Sequence, residues 1–180
     1  TGFGLDGNIW GGEFFLGNLK KMHRVAHLEY LPLPGGEASI KKPYRIAIAY
    51  LYKLFGNVAA PFRVRSDEIR TIQQMIDQDR SLVYTSSMGR LFDCVSAILG
   101  ITEEITYEAE AAINLEYIAA KGIKEFYPYE IVGTGLVPVR RNGQPQGLSL
   151  QKNEFNPMVI CIRKILESII NDLKKGTGIS

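Results

Sequence analysis

The first thirty or so residues carry short apolar runs of strand length, whereas from residue 37 onward apolar residues return every three or four positions. Ile9-Trp10 and then Glu13-Phe14-Phe15-Leu16 read as one strand, Gly17-Asn18 as a turn, and Met22 to Leu31 as the returning strand. Gly11-Gly12 inside the first run predicts a bulge or a close backbone approach. Pro32-Leu33-Pro34-Gly35-Gly36 is punctuation and predicts a hinge between lobes. Helix follows from Glu37 and restarts at Pro43, a favoured first-turn position, with Ile46, Ala47, Tyr50, Leu51 and Leu54 as its stripe and Gly56-Asn57 as its stop. A second helix takes Ser66 as N-cap and carries Ile69, Ile72, Met75 and Ile76. A third runs from Ser87 to Gly100, and a fourth from Tyr107 to Ala120, closing at Gly122.

The period then shortens again. Tyr127–Thr134, Leu136–Arg140 and Gly147–Gln151 read as strands, the latter two joined through Asn142-Gly143. The last helix takes Asn156 as cap and Pro157 as first residue and ends before Gly176. Its apolar residues Val159, Ile160, Ile162, Ile165, Leu166, Ile169, Ile170 and Leu173 occupy more than one face, which predicts a deeply packed helix. The fold class is α/β, with α+β as the alternative: a small sheet packed with helices.

Composition narrows the function classes. A chain of 180 residues with 46% hydrophobic and 22% charged residues is a globular domain without need of a staple. Its net charge of +2 and lack of a basic stripe argue against nucleic acid, and its apolar stretches are too broken for a bilayer span. The run Lys20-Lys21-Met22-His23-Arg24 is an exposed strand edge. Cys94 and Cys161 sit in apolar helical patterns without redox or metal spacing and read as buried thiols of a reducing, cytoplasmic setting. The N-terminus has no signal-peptide pattern, and a start inside the glycine-rich segment at Thr1 suggests a processed or excised piece.

Candidate chemistry is sparse. In Thr1-Gly2-Phe3-Gly4-Leu5-Asp6-Gly7 the glycines would let backbone amides converge on an anion, although such turns also simply join strands. Gly89 costs its helix about 0.8–1 kcal/mol against alanine, so it wants a reason: a ligand against that turn, or tight helix packing. Arg90 and Asp93, three apart, could form a plain surface pair. His23 and His27 have the spacing of a helical metal pair, but on a strand they lie about 13 Å apart and are not ligands. Gly11-Gly12-Glu13-Phe14 resembles a cyclase signature but lacks its second acidic residue.

The ordered motifs say more together. Residues 1–14, Arg24-Val25-Ala26-His27-Leu28, Pro32 to Ala38, Lys42 to Ala47, Thr85 to Asp93 and Tyr107 to Ala112 resemble the HypF hydrogenase maturation proteins, densely over 1–120 and thinly over 121–180. The resemblance implies part of a two-lobed, TsaD-like domain of the actin and sugar-kinase superfamily, closed around a nucleotide cleft. Residues 1–34 would be the hairpin and glycine loop of the first lobe, and residues 35–180 a mainly helical second portion. It implies that the parent protein forms a carbamoyl-adenylate from carbamoyl phosphate and ATP. The carbamoyl group then passes to the C-terminal cysteine thiol of HypE, on the way to the cyanide ligands of nickel-iron hydrogenases.

By the same resemblance, Gly2 and Gly4 match a phosphate-cradling loop, Asp93 a carboxylate that accepts hydrogen bonds from the ribose, and Glu110 a motif near the nucleotide. Gly89 and Arg90 match by position. Ala109 stands where many relatives have glycine, which puts close backbone approach there in question. The family's divalent metal, iron or zinc, is held by two histidines upstream of Thr1 and an aspartate, and a second nucleotide loop lies downstream of Ser180, so no metal ligand is expected here. Other readings are a non-catalytic nucleotide-binding or partner-docking module of the same superfamily, and a TsaD-like transfer-RNA threonylcarbamoyl transferase.

Overall fold

The computed structural model describes residues 2–58, 62, 64–79, 82–133, 140–141, 144–145 and 157–176. Among these the elements run β1 (Gly2–Phe3), β2 (Ile9–Trp10), β3 (Glu13–Gly17), β4 (Met22–Leu28), β5 (Leu31–Pro34), α1 (Glu37–Lys41), α2 (Pro43–Phe55), α3 (Ser66–Asp77), β6 (Leu82–Thr85), α4 (Met88–Ile98), α5 (Glu110–Ile118), β7 (Glu130–Val132), β8 (Arg140–Arg141), β9 (Gln144–Pro145), β10 (Met158–Cys161) and α6 (Arg163–Lys174). One sheet has the order β1-β2-β6-β5 and another β3-β4-β10-β7. The β2–β6 and β4–β10 pairs are parallel and their neighbours antiparallel, so the fold is mixed α/β. Both sheets join residues from either side of position 34.

Helix α2 is the hub. Its Ile46, Ala47, Ile48, Ala49, Tyr50 and Leu51 are all buried, and it packs against β5, α3 and α4. The expected stripe was one face; the structure surrounds the helix. Gly56 ends it at φ 74°, the left-handed cap the sequence signalled. Helix α3 begins at Ser66 itself, one residue from the expected cap, and α5 is shorter than expected at both ends.

Three expectations fail for physical reasons. Leu31–Pro34 is a buried strand and no hinge: β5 lies at the sheet edge, where prolines lacking an N–H are tolerated, and the turn proper is Gly35-Gly36 at φ 75° and 54°. Leu82–Thr85, unassigned from the pattern, is the strand β6 that pairs with both β5 and β2. Met158–Cys161 is a strand between β4 and β7, and the last helix starts only at Arg163. The run Met158 to Ile162 therefore belongs to strand and junction, and α6 itself is one-sided, with Leu166 and Ile169 buried. Cys161 consequently sits half-buried on a strand, while Cys94 is fully buried in α4 as expected. Asn156, Asn142, Gly143, the strand expected over Gly147–Gln151 and most of that over Leu136–Arg140 lie outside the described residues. Their described flanks, β8 and β9, pair antiparallel.

Candidate functional site

The glycine-rich segment forms the β1–β2 hairpin. Its Gly4 amide donates to the Asn8 carbonyl at 2.8 Å, and the Gly4 carbonyl accepts from the Gly7 amide at 3.1 Å. The Gly4 amide is thus bonded within the hairpin. Gly4 has another reason to be glycine, since a Cβ there would lie 2.0 Å from Trp10 Cε2. Gly2 is open, with nothing within 4 Å of a Cβ position. Asp6 holds the turn: its Oδ1 accepts from the Asn8 amide at 3.1 Å and from Trp10 Nε1 at 2.9 Å. Its Oδ2 accepts from the Tyr30 hydroxyl at 2.5 Å and from Arg24 at 3.3 Å. Burial alone would push the Asp6 carboxyl up, but these donors and the Arg24 charge outweigh it and leave it below its ordinary value.

The hairpin meets the start of α4 at one corner. The Ser86 amide donates to the Ile9 carbonyl at 3.1 Å and the Met88 amide to the Gly11 carbonyl at 3.2 Å. A Cβ on Gly12 would lie 2.2 Å from the Ser86 carbonyl oxygen, which is the close approach foreseen for Gly11-Gly12. The expected bulge is displaced to Phe14/Phe15, where the β3–β4 register shifts. Glu13 ties the corner together, accepting from the Gly12 amide at 2.9 Å and from the Ser86 hydroxyl. Across the β3–β4 ladder Glu13 faces His27, which is buried. His27 Nδ1 lies 2.7 Å from the Leu28 carbonyl, so Nδ1 carries the proton and Nε2 is a bare acceptor, buried without a partner. Burial holds the His27 ring below its ordinary pKa, partly offset by the Leu28 carbonyl.

Helix α4 opens with groups left free. Ser87 occupies the N-cap but its side chain makes no capping bond, and among the described residues no acceptor meets the Gly89 and Arg90 amides. Those amides, with the helix dipole behind them, suit an anion. A Cβ on Gly89 would meet only Ser87 Oγ, at 3.5 Å, so tight helix packing does not explain this glycine. Asp93 is not at an exposed helix start. It lies a turn further in, 2% exposed, with Arg90 Nε 2.7 Å from its Oδ2 in an approach off the hydrogen-bond axis. Burial raises its carboxyl to about 6 against the opposing pull of Arg90.

Glu110 stands apart from this corner in its bonding. It is the first residue of α5, and its Oε2 accepts from the Thr106 amide, from the Thr106 hydroxyl at 3.0 Å and from the Tyr107 amide at 3.4 Å. The Thr106 amide is the main reason its carboxyl lies below the ordinary range. Ala109 before it adopts φ 64°, a left-handed conformation that glycine takes without strain.

Against known proteins, residues 1–180 match the family described as the carbamoyltransferase Kae1-like domain, second subdomain. The chain belongs to the HypF carbamoyltransferase family. It is 42% identical over 124 residues to the probable carbamoyltransferase HypF of Methanocaldococcus jannaschii, covering 66% of this chain and 16% of that protein. It is 36% identical over 141 residues to a HypF homolog of Cupriavidus necator, covering 76% of this chain and 36% of that protein. The crystal structure of full-length HypF in the phosphate- and nucleotide-bound form superposes with a TM-score of 0.80 at 36% identity, over all of this chain and 25% of that one. The chain therefore spans well under half the length of the HypF proteins it matches.

Of the residues the sequence singled out, Gly89, Arg90 and Asp93 share α4, and the Gly2–Gly4 hairpin reaches them through β2 and β6. Sequence reasoning missed Asp6, Glu13 and Ser86, and weighed His27 only as a metal ligand. Asp6 passed as a turn residue, and Glu13 was set aside with an incomplete motif. The available signal was an acidic residue four before the only tryptophan. Among the described residues no three His, Cys, Asp or Glu side chains converge in a way that could hold a metal ion. No helix among them is long and apolar enough to cross a membrane.

Proposed function

We propose that this chain supplies the α4 side of a nucleotide site in a carbamoyltransferase whose full-length form makes carbamoyl-adenylate from carbamoyl phosphate and ATP. The acceptor is the C-terminal cysteine thiol of a HypE-type partner. In that transfer a C–S bond forms as the thiol proton departs, and the bond from the carbamoyl carbon to the AMP oxygen breaks. Negative charge develops on the carbamoyl oxygen and on the leaving phosphate, and fixed N–H donors stabilise such charge because they need not reorganise. The free Gly89 and Arg90 amides are donors of this kind. The nucleotide is supported by the likeness to HypF in its phosphate- and nucleotide-bound form. The iron or zinc of the parent would be held by residues outside this chain.

The observation that carries this reading is a helix start left uncapped and built with glycine where alanine would fit. Gly89→Ala in the full-length protein should raise stability by about 0.5–1 kcal/mol, because alanine is the better helix former. It should also weaken ATP binding several-fold, because the added methyl group takes up space at the turn that carries the free amides. Calorimetric ATP affinity and carbamoyl transfer to the partner thiol are the measurements. Stabilisation with unchanged affinity would remove the ligand from this turn. ATP binding without any transfer would favour a non-catalytic module instead.

A further inference from the structure

We propose that Asp6 is a positioning residue for the nucleotide site, acting through an Arg24–Tyr30–His27–Glu13–Ser86 network that fixes the β1–β2 hairpin against the start of α4. The proposal rests on the reading of α4 given above. Strands β1 and β2 are two residues long each, and Gly2, Phe3 and Leu5 are exposed, so the hairpin buries too little apolar surface to hold itself. What holds it is polar. One carboxylate gathers the Asn8 amide, the Trp10 indole N–H, the Tyr30 hydroxyl and the Arg24 guanidinium. A turn needs only the first of these, the local bond to Asn8.

The other three reach outward. Arg24 on β4 stacks over the Trp10 ring at 4.2 Å, lies 5.7 Å from the Tyr30 ring centroid, and donates to the Tyr30 hydroxyl at 2.9 Å. The Tyr30 ring packs on His27 at 4.7 Å between centroids. His27 is the ladder partner of Glu13, and Glu13 accepts from the Ser86 hydroxyl immediately before α4. Ser86 in turn bonds back to Ile9 of β2, which closes the circuit. Hairpin and helix start are thereby joined twice, once through the β2–β6 ladder and once through these groups, with the β3–β4 backbone pairing of Glu13 and His27 as the link between them. The second route is rigid: the guanidinium is planar and clamped between aromatic faces, which a lysine could not reproduce. Displacing a binding element by about 1 Å can cost a hundredfold in rate, so a clamp on the hairpin sets the site's geometry without touching substrate.

The test uses the full-length protein, with ATP as the probe and 5-fluorotryptophan as the reporter, its Trp10 resonance assigned by loss in Trp10→Phe. In the wild type, ATP should shift that resonance. Asp6→Asn keeps an acceptor for Asn8 and Trp10 but removes the charge facing Arg24. It should raise the KM for ATP roughly tenfold, with kcat at saturation within about twofold, and abolish the ATP-induced shift. A merely structural Asp6 would lower the unfolding temperature and leave KM in the folded protein unchanged. Arg24→Lys should behave like Asp6→Asn, and the double variant Asp6→Asn/Arg24→Lys should be no worse than the worse single variant, because both act through one contact. Wild-type protein that binds no ATP overturns the reading of the α4 site and this proposal with it. Wild-type protein that binds ATP, with Asp6→Asn binding equally well or with additive losses in the double variant, overturns this proposal alone.

Discussion

Asp93 should make this chain less stable as the pH rises, and Asp93→Asn should abolish that loss. Its carboxyl is raised from 3.8 to about 6 by burial, with Arg90 pulling the other way. Between those two values the folded chain still binds a proton that the unfolded chain has released, so stability falls as pH increases. Above about 6 both states are ionised and the slope vanishes; below 3.8 both are protonated. At about 1.36 kcal/mol per unit, a displacement of about two units amounts to about 2–3 kcal/mol lost between pH 4 and pH 7. Asparagine is the neutral isostere. Arg90 faces an uncharged partner both in the variant and in the protonated wild type, so its own desolvation cancels from the pH-dependent difference. Urea unfolding of the chain, followed by Trp10 fluorescence at pH 4, 5, 6, 7 and 8, gives the two stability curves. They should nearly meet at pH 4 and separate by about 2–3 kcal/mol at pH 8, the variant being the more stable. In the full-length protein the same variant should weaken ATP binding if Asp93 accepts bonds from the ribose. Parallel curves would show that Asp93 titrates like an exposed carboxylate, and the burial argument would fail.

Ala109→Gly should stabilise the chain by about 0.5–1 kcal/mol in the same unfolding assay, because alanine pays a left-handed penalty at φ 64° larger than the entropy glycine adds to the unfolded state. Gly12→Ala should destabilise by roughly 2 kcal/mol or more, since its Cβ would collide with the Ser86 backbone oxygen at 2.2 Å and with Leu28 at 2.9 Å; an unchanged urea midpoint would contradict the close approach. Cys94→Ala should cost about 1–2 kcal/mol of stability while carbamoyl transfer by the full-length protein persists, because this fully buried thiol has its pKa driven upward by burial and is no nucleophile.

Local chemistry made α2 and α4 legible. Pro43 and Gly56 bracket the first, and Ser87 and Gly100 the second, with Gly56 and Gly100 both at positive φ. Where pattern alone decided, it misled. Met158-Val159-Ile160-Cys161 suits a helix of period 3.6 and a buried strand equally well, and only the partners β4 and β7 settle the matter. The same ambiguity made α6 look buried on several faces and hid that α2 is the enclosed helix. At the site, the motif around Gly89 could be seen because its residues are adjacent in sequence. The bonds from Asp6 to Arg24 and Tyr30 span 18 and 24 residues, and that from Glu13 to Ser86 spans 73, so no local window contains them.

Where the structure leaves polar groups unsatisfied also argues for function. Native proteins pair nearly all their buried polar atoms, so exceptions concentrate meaning. Among the described residues the buried side-chain atoms without a hydrogen bond include Arg24 Nε, His27 Nε2, Arg90 Nε and Asp93 Oδ2, with Ser96 Oγ also on α4. Arg45 Nε alone lies outside the hairpin network and α4. The free Gly89 and Arg90 amides belong to the same corner. By contrast, the core around α2 is closed and apolar, with Ile46, Ile48, Leu51, Ile72 and Ile98 almost wholly shielded from water. A fold selected for stability alone would cap α4, replace Gly89 with alanine and put a neutral side chain at position 93. The last two are single substitutions compatible with the backbone, and the cap needs only a different rotamer of the Ser87 already at the N-cap. Their joint absence at one corner is what a site shaped to receive donors, acceptors and charge from a ligand requires.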